Sequence, residues 1–144
     1  MLVCLSLLLI LASCRGVRPP RNAVTRERVL ITTGYCHCGK CCGWKRTWYG
    51  RPVYSYGGLK GQRKRVGITA SGTRAHKGTL AADARYFPFG VIMEIPGYGY
   101  GRVEDRGGQI KRNHIDLYFP THAQAQEWGK QTKKVKIWYP DPPS

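Results

Sequence analysis

Short apolar runs separated by glycine, proline and charged residues make up most of the chain after residue 28. Runs of this length with turn-forming residues at both ends are typical of β-strands. In the last run, Val135 and Ile137 alternate with Lys134 and Lys136, as in a strand with one buried face. The pattern therefore predicts a mainly β fold, with strands at 29–35, 67–70, 79–82, 91–95, 98–104, 114–119 and 133–139.

One segment near the C-terminus has the pattern of a helix instead. Thr121 is suited to the N-cap position, and Gln124 follows three residues later, as in a capping box. The residues that follow favour helix, Trp128 offers an apolar anchor for the core, and Gly129 marks the end. We expect one short helix here.

Residues 44–65 are aromatic, basic and rich in glycine, which predicts a long loop or a loose hairpin. Loops of this length inside a compact domain are often functional.

The first residues predict export. Residues 1–13 carry no charge, and the leucine-rich run at 2–11 is too short to span a bilayer, which needs about 20 apolar residues. Such a run suits a signal peptide. It ends in LASC at 11–14, which resembles a bacterial lipobox, so that Cys14 would carry a lipid; an ordinary secretory signal with a chance cysteine is the alternative. The predicted organisation is a signal peptide at 1–13, a lipid anchor and tether at 14–27, and one domain at 28–144.

The net charge narrows the choice of partners. The chain has 24 Lys and Arg against 8 acidic residues, a formal charge of +16. A surface of this kind attracts polyanions, including nucleic acid, anionic lipid and cell-wall polymers. Export argues against nucleic acid.

Asp83, Asp105 and Asp116 are three of the eight acidic residues, and each lies in or beside a predicted strand. If Ile115 and Leu117 face the core, Asp116 projects from the opposite face of its strand. Neighbouring carboxylates and partial burial raise the pKa of an aspartate, and a general acid must keep its proton near neutral pH. The alternative is a set of surface aspartates paired with arginine or lysine.

Several motifs in order add a family resemblance: GITASG at 67–72, LAAD at 80–83, FPFG at 87–90, IPGYG at 95–99, VED at 103–105, GGQIK at 107–111 and HIDLY at 114–118. The chain from about 66 to 119 resembles the 3D domain. That domain is named for three aspartates and occurs in membrane-bound lytic transglycosylases and in small wall-remodelling enzymes of spore-forming bacteria. The resemblance implies a double-psi β-barrel.

The resemblance also implies a reaction: cleavage of the β-1,4 bond between N-acetylmuramic acid and N-acetylglucosamine, leaving a 1,6-anhydro end. Asp116 would be the acid/base. Asp105 would hold Asp116 or the sugar and stabilise positive charge at the anomeric carbon, and Asp83 would orient the site or support a turn. An intramolecular nucleophile needs no carboxylate to activate water, unlike the carboxyl pair of ordinary glycosidases.

Five further residues are candidate substrate contacts. Thr69 and Ser71 could donate hydroxyl hydrogen bonds, and Gln109 and Lys111 could contact glycan or a peptide carboxylate. Arg106 stands where the family often has threonine. It could pair with an aspartate and lower its pKa, or bind a carboxylate of the substrate.

The cysteines at 36, 38, 41 and 42 allow disulfides, a zinc site or free thiols. In an exported protein, disulfides are the default, whereas thiolates also suit zinc. Apart from zinc at Cys36, Cys38, Cys41 and Cys42, we expect no cofactor. The histidines show no ligand spacing and are interpreted as surface or packing residues. The aromatic residues of 44–65 either stack on sugar rings or form a satellite core.

The leading hypothesis is thus a peptidoglycan lytic transglycosylase, a monomer that acts on glycan strands, contacts the membrane through its lipid and binds no nucleic acid. It would lie in the bacterial envelope, facing the periplasm from the outer membrane in a Gram-negative cell, or be secreted. The alternatives are a non-catalytic glycan-binding lipoprotein of the same fold and a hydrolytic muramidase, because fold alone does not determine function.

Overall fold

The computed structural model describes residues 16–20, 23 and 25–140. The predicted signal peptide and the lipid-attachment residue Cys14 lie outside the described residues. Within the described part, the strands are β1 (Thr25–Tyr35), β2 (Trp44–Arg46), β3 (Pro52–Tyr54), β4 (Thr79–Ala82), β5 (Ile92–Ile95), β6 (Gly99–Asp105), β7 (His114–Tyr118) and β8 (Gln131–Trp138), and the helices are α1 (Gly39–Cys42) and α2 (His122–Trp128). None of the described helices has both the length and the apolar character needed to span a bilayer.

Six of these strands form a closed barrel in the order β1-β7-β4-β6-β5-β8, and β8 pairs back onto β1. The pairs β1/β7 and β4/β6 are parallel, and the other neighbouring pairs are antiparallel. The predicted mainly β fold is confirmed. Its double-psi connectivity stays a prediction.

The barrel interior is filled by the apolar positions that alternate along the strands. Ile115 and Leu117 of β7 are fully buried, as are Val135 and Ile137 of β8, so the predicted inward faces of both strands are confirmed. Each methylene group removed from water contributes about 0.8 kcal/mol, and this core carries most of the barrel's stability. Its members are Leu30, Leu80, Ala82, Phe87, Val91, Met93, Ile95, Val103, Ile115, Leu117, Val135 and Ile137.

Helix α2 begins as predicted. The Thr121 side chain accepts a hydrogen bond from the Gln124 backbone N–H at 3.3 Å, and Trp128 packs against the barrel core. The helix lies close to β1 because residue 34 is glycine: a Cβ there would stand 2.7 Å from the carbonyl oxygen of Ala125. This close approach fixes His122 beside the end of β1.

Three local predictions differ from the structure. Strand β1 begins at Thr25, before the predicted domain start at residue 28, because Thr25 already pairs with Trp138 of β8. Residues 67–70 form a turn rather than a strand, with only an isolated bridge between Ile68 and Arg74. A second short helix, α1, was not predicted, because four residues are too few to show an apolar period.

The predicted hairpin within 44–65 is present as β2 and β3, with Trp44 opposite Tyr54. We call residues 36–65 the wall. Its fold depends on Gly43, which ends α1 in the left-handed region at φ 59° and packs under the Tyr56 ring, where a Cβ would stand 2.5 Å from that ring. Strain and collision would both oppose a larger residue.

Candidate active site

Two of the three aspartates lie on one face of the barrel. Asp116 of β7 and Asp105 of β6 are both paired with Ala81 of the intervening strand β4. Directly paired residues project to the same side of a sheet, and two strand spacings separate the Cα atoms of the aspartates by about 10 Å. The small side chain of Ala81 leaves the space between them open. We call Asp116, Ala81 and Asp105 the floor.

A bulge brings Asp105 to this face. The pairing of β4 with β6 runs from Leu80 opposite Val103 directly to Ala81 opposite Asp105, so Glu104 is the extra residue. Val103 is fully buried in the core, and simple alternation would turn Asp105 the same way. A one-residue shift reverses the face, and bulges often aim side chains at active sites in this way.

The floor lies at the base of a cleft with a volume of about 480 Å³, which the wall borders. Trp44, Tyr54 and Tyr56 line it, so these aromatic residues border the same cleft as the two aspartates. Trp48 and Tyr49 do not: they pack edge to face on each other, and Trp48 is 95 % exposed. The predicted aromatic segment therefore divides into a cleft-lining part and an outward-facing part.

Asp116 is the carboxyl with the properties of a proton donor. Burial, and to a smaller extent the charge of Asp105, raise its pKa to about 6, although a hydrogen bond from Thr33 opposes the shift. Thr33 Oγ1 donates to Asp116 Oδ1 at 2.9 Å and lies 2.8 Å from His114 Nε2. Because the hydroxyl has one proton, His114 Nε2 is the donor in the second contact. Asp116 is thus held in one orientation with a proton available near neutral pH.

Asp105 is held by three donors. The Tyr35 hydroxyl donates to Oδ2 at 3.2 Å, and the backbone N–H groups of Ala70 and Arg106 donate to Oδ1 at 2.9 Å each. Burial, and then the nearby Asp105 charge, raise the pKa of Tyr35, so its hydroxyl stays a donor. The Arg106 guanidinium forms none of the ion pairs found among the described residues. Arg106 follows Asp105 directly in the sequence, but its side chain does not form an ion pair with that carboxylate.

Asp83, unlike Asp105 and Asp116, lies outside the cleft. It follows β4 and is absent from the residues that line the cleft. Arg85 forms a two-bond contact with its carboxylate at 3.0 and 2.8 Å, and the Arg112 backbone N–H donates at 3.2 Å. The Arg85 hydrogen bonds hold the pKa of Asp83 well below its usual range, against the opposing effect of burial. This environment fits the support of a turn.

The five predicted substrate-contact residues fall into two groups. Thr69 and Arg106 line the cleft, whereas Ser71, Gln109 and Lys111 are exposed outside its lining. Thr69 Oγ1 lies 3.1 Å from the hydroxyl of Ser71 and 2.8 Å from that of Thr73, so a shared hydroxyl cluster borders the cleft.

Sequence reasoning missed several residues around the carboxyls. Thr33 and Tyr35 alternate along β1 on the face opposite the buried Leu30 and Thr32, a period-two signal that could have revealed them. His114, interpreted as a surface or packing residue, contacts Thr33. His37 Nδ1 lies 2.6 Å from the Tyr118 hydroxyl, and both residues line the cleft; no local pattern predicts that contact.

The cysteine cluster also differs from its prediction. Cys36, Cys38 and Cys41 group with His122, not with Cys42, and the four ligand atoms lie within 4.8 Å of one another. His122, interpreted from the sequence as a surface or packing residue, thus lies beside three cysteine sulfurs. No disulfide joins the four described cysteines. Cys42 instead donates to the Cys36 carbonyl oxygen at 3.1 Å and lines the cleft.

Barrel and cleft together define a class: a mainly β protein whose open, aromatic-bordered cleft presents a carboxyl of raised pKa near a second carboxyl. The family model described as the 3D domain matches residues 78–140, a segment that holds β4–β8 and all three aspartates. The predicted resemblance to this domain is thereby confirmed.

Two curated relatives and one solved structure illustrate the likeness. "Cell wall-binding protein YocH" of Bacillus subtilis is 36 % identical over 75 residues, which cover 49 % of this chain and 26 % of that protein. "Probable endolytic peptidoglycan transglycosylase RlpA" of Aquifex aeolicus is 37 % identical over 79 residues, covering 51 % and 32 %. E. coli MltA with bound chitohexaose aligns with a TM-score of 0.43 and 21 % identity over 56 % of this chain and 30 % of that one. The chain thus spans about a third or less of the length of these proteins.

Proposed function

We propose that this protein is a lytic transglycosylase that cleaves the MurNAc–GlcNAc β-1,4 bond of peptidoglycan during cell-wall remodelling. One observation carries the proposal: Asp116 and Asp105 lie on one face of the barrel, either side of Ala81, in a cleft that is also lined by aromatic residues. The 3D domain match and the names of the relatives, which refer to the cell wall and to peptidoglycan, support the choice of substrate.

Asp116 would act first as acid and then as base. Its proton passes to the glycosidic oxygen as the bond from that oxygen to C1 of N-acetylmuramic acid breaks. The C6 hydroxyl of the same sugar then attacks C1, and its proton returns to Asp116. A 1,6-anhydro end forms, no water is consumed, and the carboxyl ends as it began. A pKa of about 6 suits both halves of this cycle near neutral pH.

Asp105 would stabilise the positive charge that develops at C1. Its three hydrogen bonds, from Tyr35, Ala70 and Arg106, hold the carboxyl in place before the substrate arrives. Preorganisation of this kind is often the largest single contribution to catalysis. Asp83 would act at a distance, by fixing the turn after β4 through Arg85 and Arg112.

The residues that line the cleft would bind glycan and peptide. Trp44, Tyr54 and Tyr56 offer flat apolar faces for sugar rings. Thr69 and Arg106 add a hydroxyl and a guanidinium to the lining of the cleft. The guanidinium would form a two-bond contact with a peptide carboxylate. Ser71, Gln109 and Lys111, which lie outside the lining, would contact only parts of the polymer that extend beyond it.

The excess of 16 positive charges favours anionic wall polymers as the surface to which the protein is recruited. We assign the protein to the bacterial envelope, where a lipid on Cys14 would attach it to a membrane.

A second candidate function is wall binding without cleavage. Two observations favour it: the relative YocH is described as cell wall-binding, and the cleft is lined by aromatic residues, which would serve binding alone as well as catalysis.

Digestion of purified peptidoglycan tests the two functions together. Wild-type protein, Asp116→Asn and the matched control Glu94→Gln would each be incubated with insoluble peptidoglycan. Glu94 is a carboxyl on β5 outside the cleft, paired with Lys136 at 3.6 Å. Cosedimentation measures binding, and mass spectrometry of the released fragments measures cleavage.

We expect wild type and Glu94→Gln to release 1,6-anhydro fragments, and Asp116→Asn to bind without release. Binding by all three proteins with no fragments would replace the enzyme with the wall-binding function. Reducing ends in place of anhydro ends would identify a hydrolytic muramidase.

A further inference from the structure

Four metal-binding side chains meet outside the floor of the cleft. Cys36 follows β1, Cys38 precedes α1, Cys41 lies within α1, and His122 is the first residue of α2. More than 80 residues separate His122 from each of the three cysteines. The tertiary fold, not local sequence, therefore builds this cluster.

The distances within the cluster match those of a tetrahedral zinc site. Bonds of about 2.3 Å to sulfur and about 2.0–2.1 Å to nitrogen place two sulfur ligands about 3.8 Å apart, and a sulfur and a nitrogen about 3.6 Å apart. Cys36 Sγ and Cys41 Sγ are 3.8 Å apart. His122 Nδ1 lies 3.3 Å from Cys41 Sγ, 3.6 Å from Cys38 Sγ and 4.0 Å from Cys36 Sγ.

The same distances argue against disulfides within the cluster. A disulfide requires sulfur atoms about 2.05 Å apart, whereas Cys36 and Cys41 keep the spacing of two ligands of one ion. A histidine nitrogen within 4.0 Å of all three sulfurs has no role in a disulfide. Cys42, the remaining cysteine of the run, points its thiol at a backbone carbonyl instead.

From this geometry we propose that Cys36, Cys38, Cys41 and His122 bind one zinc ion in a closed, structural Cys₃His site. Four protein ligands leave no open position for water, as in structural rather than catalytic zinc sites. The ion would join the start of the wall to α2, which itself packs against β1 at Gly34. Closing so long a stretch of chain gives the site a large effect on stability.

The site would also keep the cleft in shape. Tyr35, which donates to Asp105, directly precedes Cys36. His37, which contacts Tyr118 at the cleft, lies between two ligands, and Cys41 itself borders the cleft. Loss of the ion would therefore loosen the wall first, while the barrel strands keep their own hydrogen bonds and core.

Metal content and coordination test the proposal without reference to cleavage. The full chain would be purified without chelator, loaded with zinc and dialysed against metal-free buffer. Elemental analysis should find about one zinc per chain, and X-ray absorption should show three sulfur neighbours at about 2.3 Å and one nitrogen at about 2.0–2.1 Å. Cys38→Ser and His122→Asn should each weaken zinc binding by at least about tenfold, whereas Cys42→Ser should retain it.

Limited proteolysis provides a second measurement that does not depend on the variants folding. Removal of zinc from wild-type protein with a strong chelator should expose residues 36–65 to cleavage and lower Tm, and added zinc should reverse both effects. Three results would overturn the proposal: a zinc-loaded chain that retains no metal, an intact mass that shows disulfides among these cysteines, or a site lost in Cys42→Ser and kept in His122→Asn.

Discussion

The floor of the cleft comes from paired barrel strands, whereas its wall comes from residues 36–65, where the regular elements are two three-residue strands and a four-residue helix. The floor is positioned by strand register: Asp116 and Asp105 stand either side of Ala81 because β7, β4 and β6 are hydrogen-bonded side by side in the barrel. The wall is positioned by contacts between distant residues, such as His122 with the cysteines. The position of the two carboxyls and the shape of the cleft thus have separate structural origins. Substitutions in the floor and in the wall should therefore have separate effects.

The largest effect is expected from a change in the floor. Asp105→Asn removes a negative charge from the cleft, and loss of one such electrostatic contact typically lowers kcat by roughly 10²–10³-fold. The Asp105 charge also raises the pKa of Asp116. In the variant that pKa falls, so the loss of activity with rising pH should begin at a lower pH than in wild type.

The pH–rate profile of peptidoglycan cleavage measures both effects, with Glu94→Gln as the control. An unchanged profile, or a shift toward higher pH, would show that the charge of Asp105 does not raise the pKa of Asp116, and would contradict the proposed role of Asp105.

The next effect concerns stability. Asp116 has a pKa of about 6 in the fold against 3.8 as its ordinary value, so the native protein binds this proton more tightly than the unfolded chain. The contribution of Asp116 to the free energy of unfolding of the wild type should therefore decline as pH rises from about 4 to about 7, by up to about 3 kcal/mol. Asp116→Asn lacks this titration. It should unfold at a higher Tm than wild type at pH 7, with the difference vanishing below about pH 4.

Thermal melts of both proteins from pH 4 to pH 8 measure this difference. A variant that is less stable than wild type at pH 7 would mean that the ionised Asp116 stabilises the fold, contrary to a partly buried acid of raised pKa.

The smallest effect is expected from a single aromatic residue of the wall. Trp44 lines the cleft, whereas Trp48 is 95 % exposed outside it. Trp44→Ala should weaken glycan binding by roughly tenfold, about the contribution of one aromatic stacking contact, while Trp48→Ala leaves it unchanged. Affinity for soluble glycan fragments measures both, and equal losses in the two variants would move glycan binding away from the cleft.

The sequence predicted the floor better than the wall, for physical reasons. Alternation in HIDLY places Ile115 and Leu117 inside and Asp116 outside, and burial confirms this. Simple alternation fails for Asp105, because the bulge at Glu104 turns its side chain from the core side of the strand to the cleft side. A bulge depends on how two strands pair, so a single strand's pattern does not reveal it.

The wall was less predictable because its order comes from contacts distant in sequence. The cysteine run from 36 to 42 indicated either disulfides or a metal, but the fourth member of the cluster is His122, brought there by α2. Spacing within the run could not identify it. Likewise, Asp83 lies in LAAD, one of the motifs that resemble the 3D domain, but only the structure shows its pairing with Arg85.

The fate of water at the cleaved bond distinguishes a lytic transglycosylase from a hydrolase. Peptidoglycan would be digested by the protein in water enriched in ¹⁸O, and the new glycan ends analysed by mass spectrometry. If the C6 hydroxyl of the substrate replaces water as the nucleophile, the new ends should be 1,6-anhydro ends that contain no ¹⁸O. Reducing ends that carry ¹⁸O, or the absence of any new ends, would rule out the proposed transglycosylase reaction.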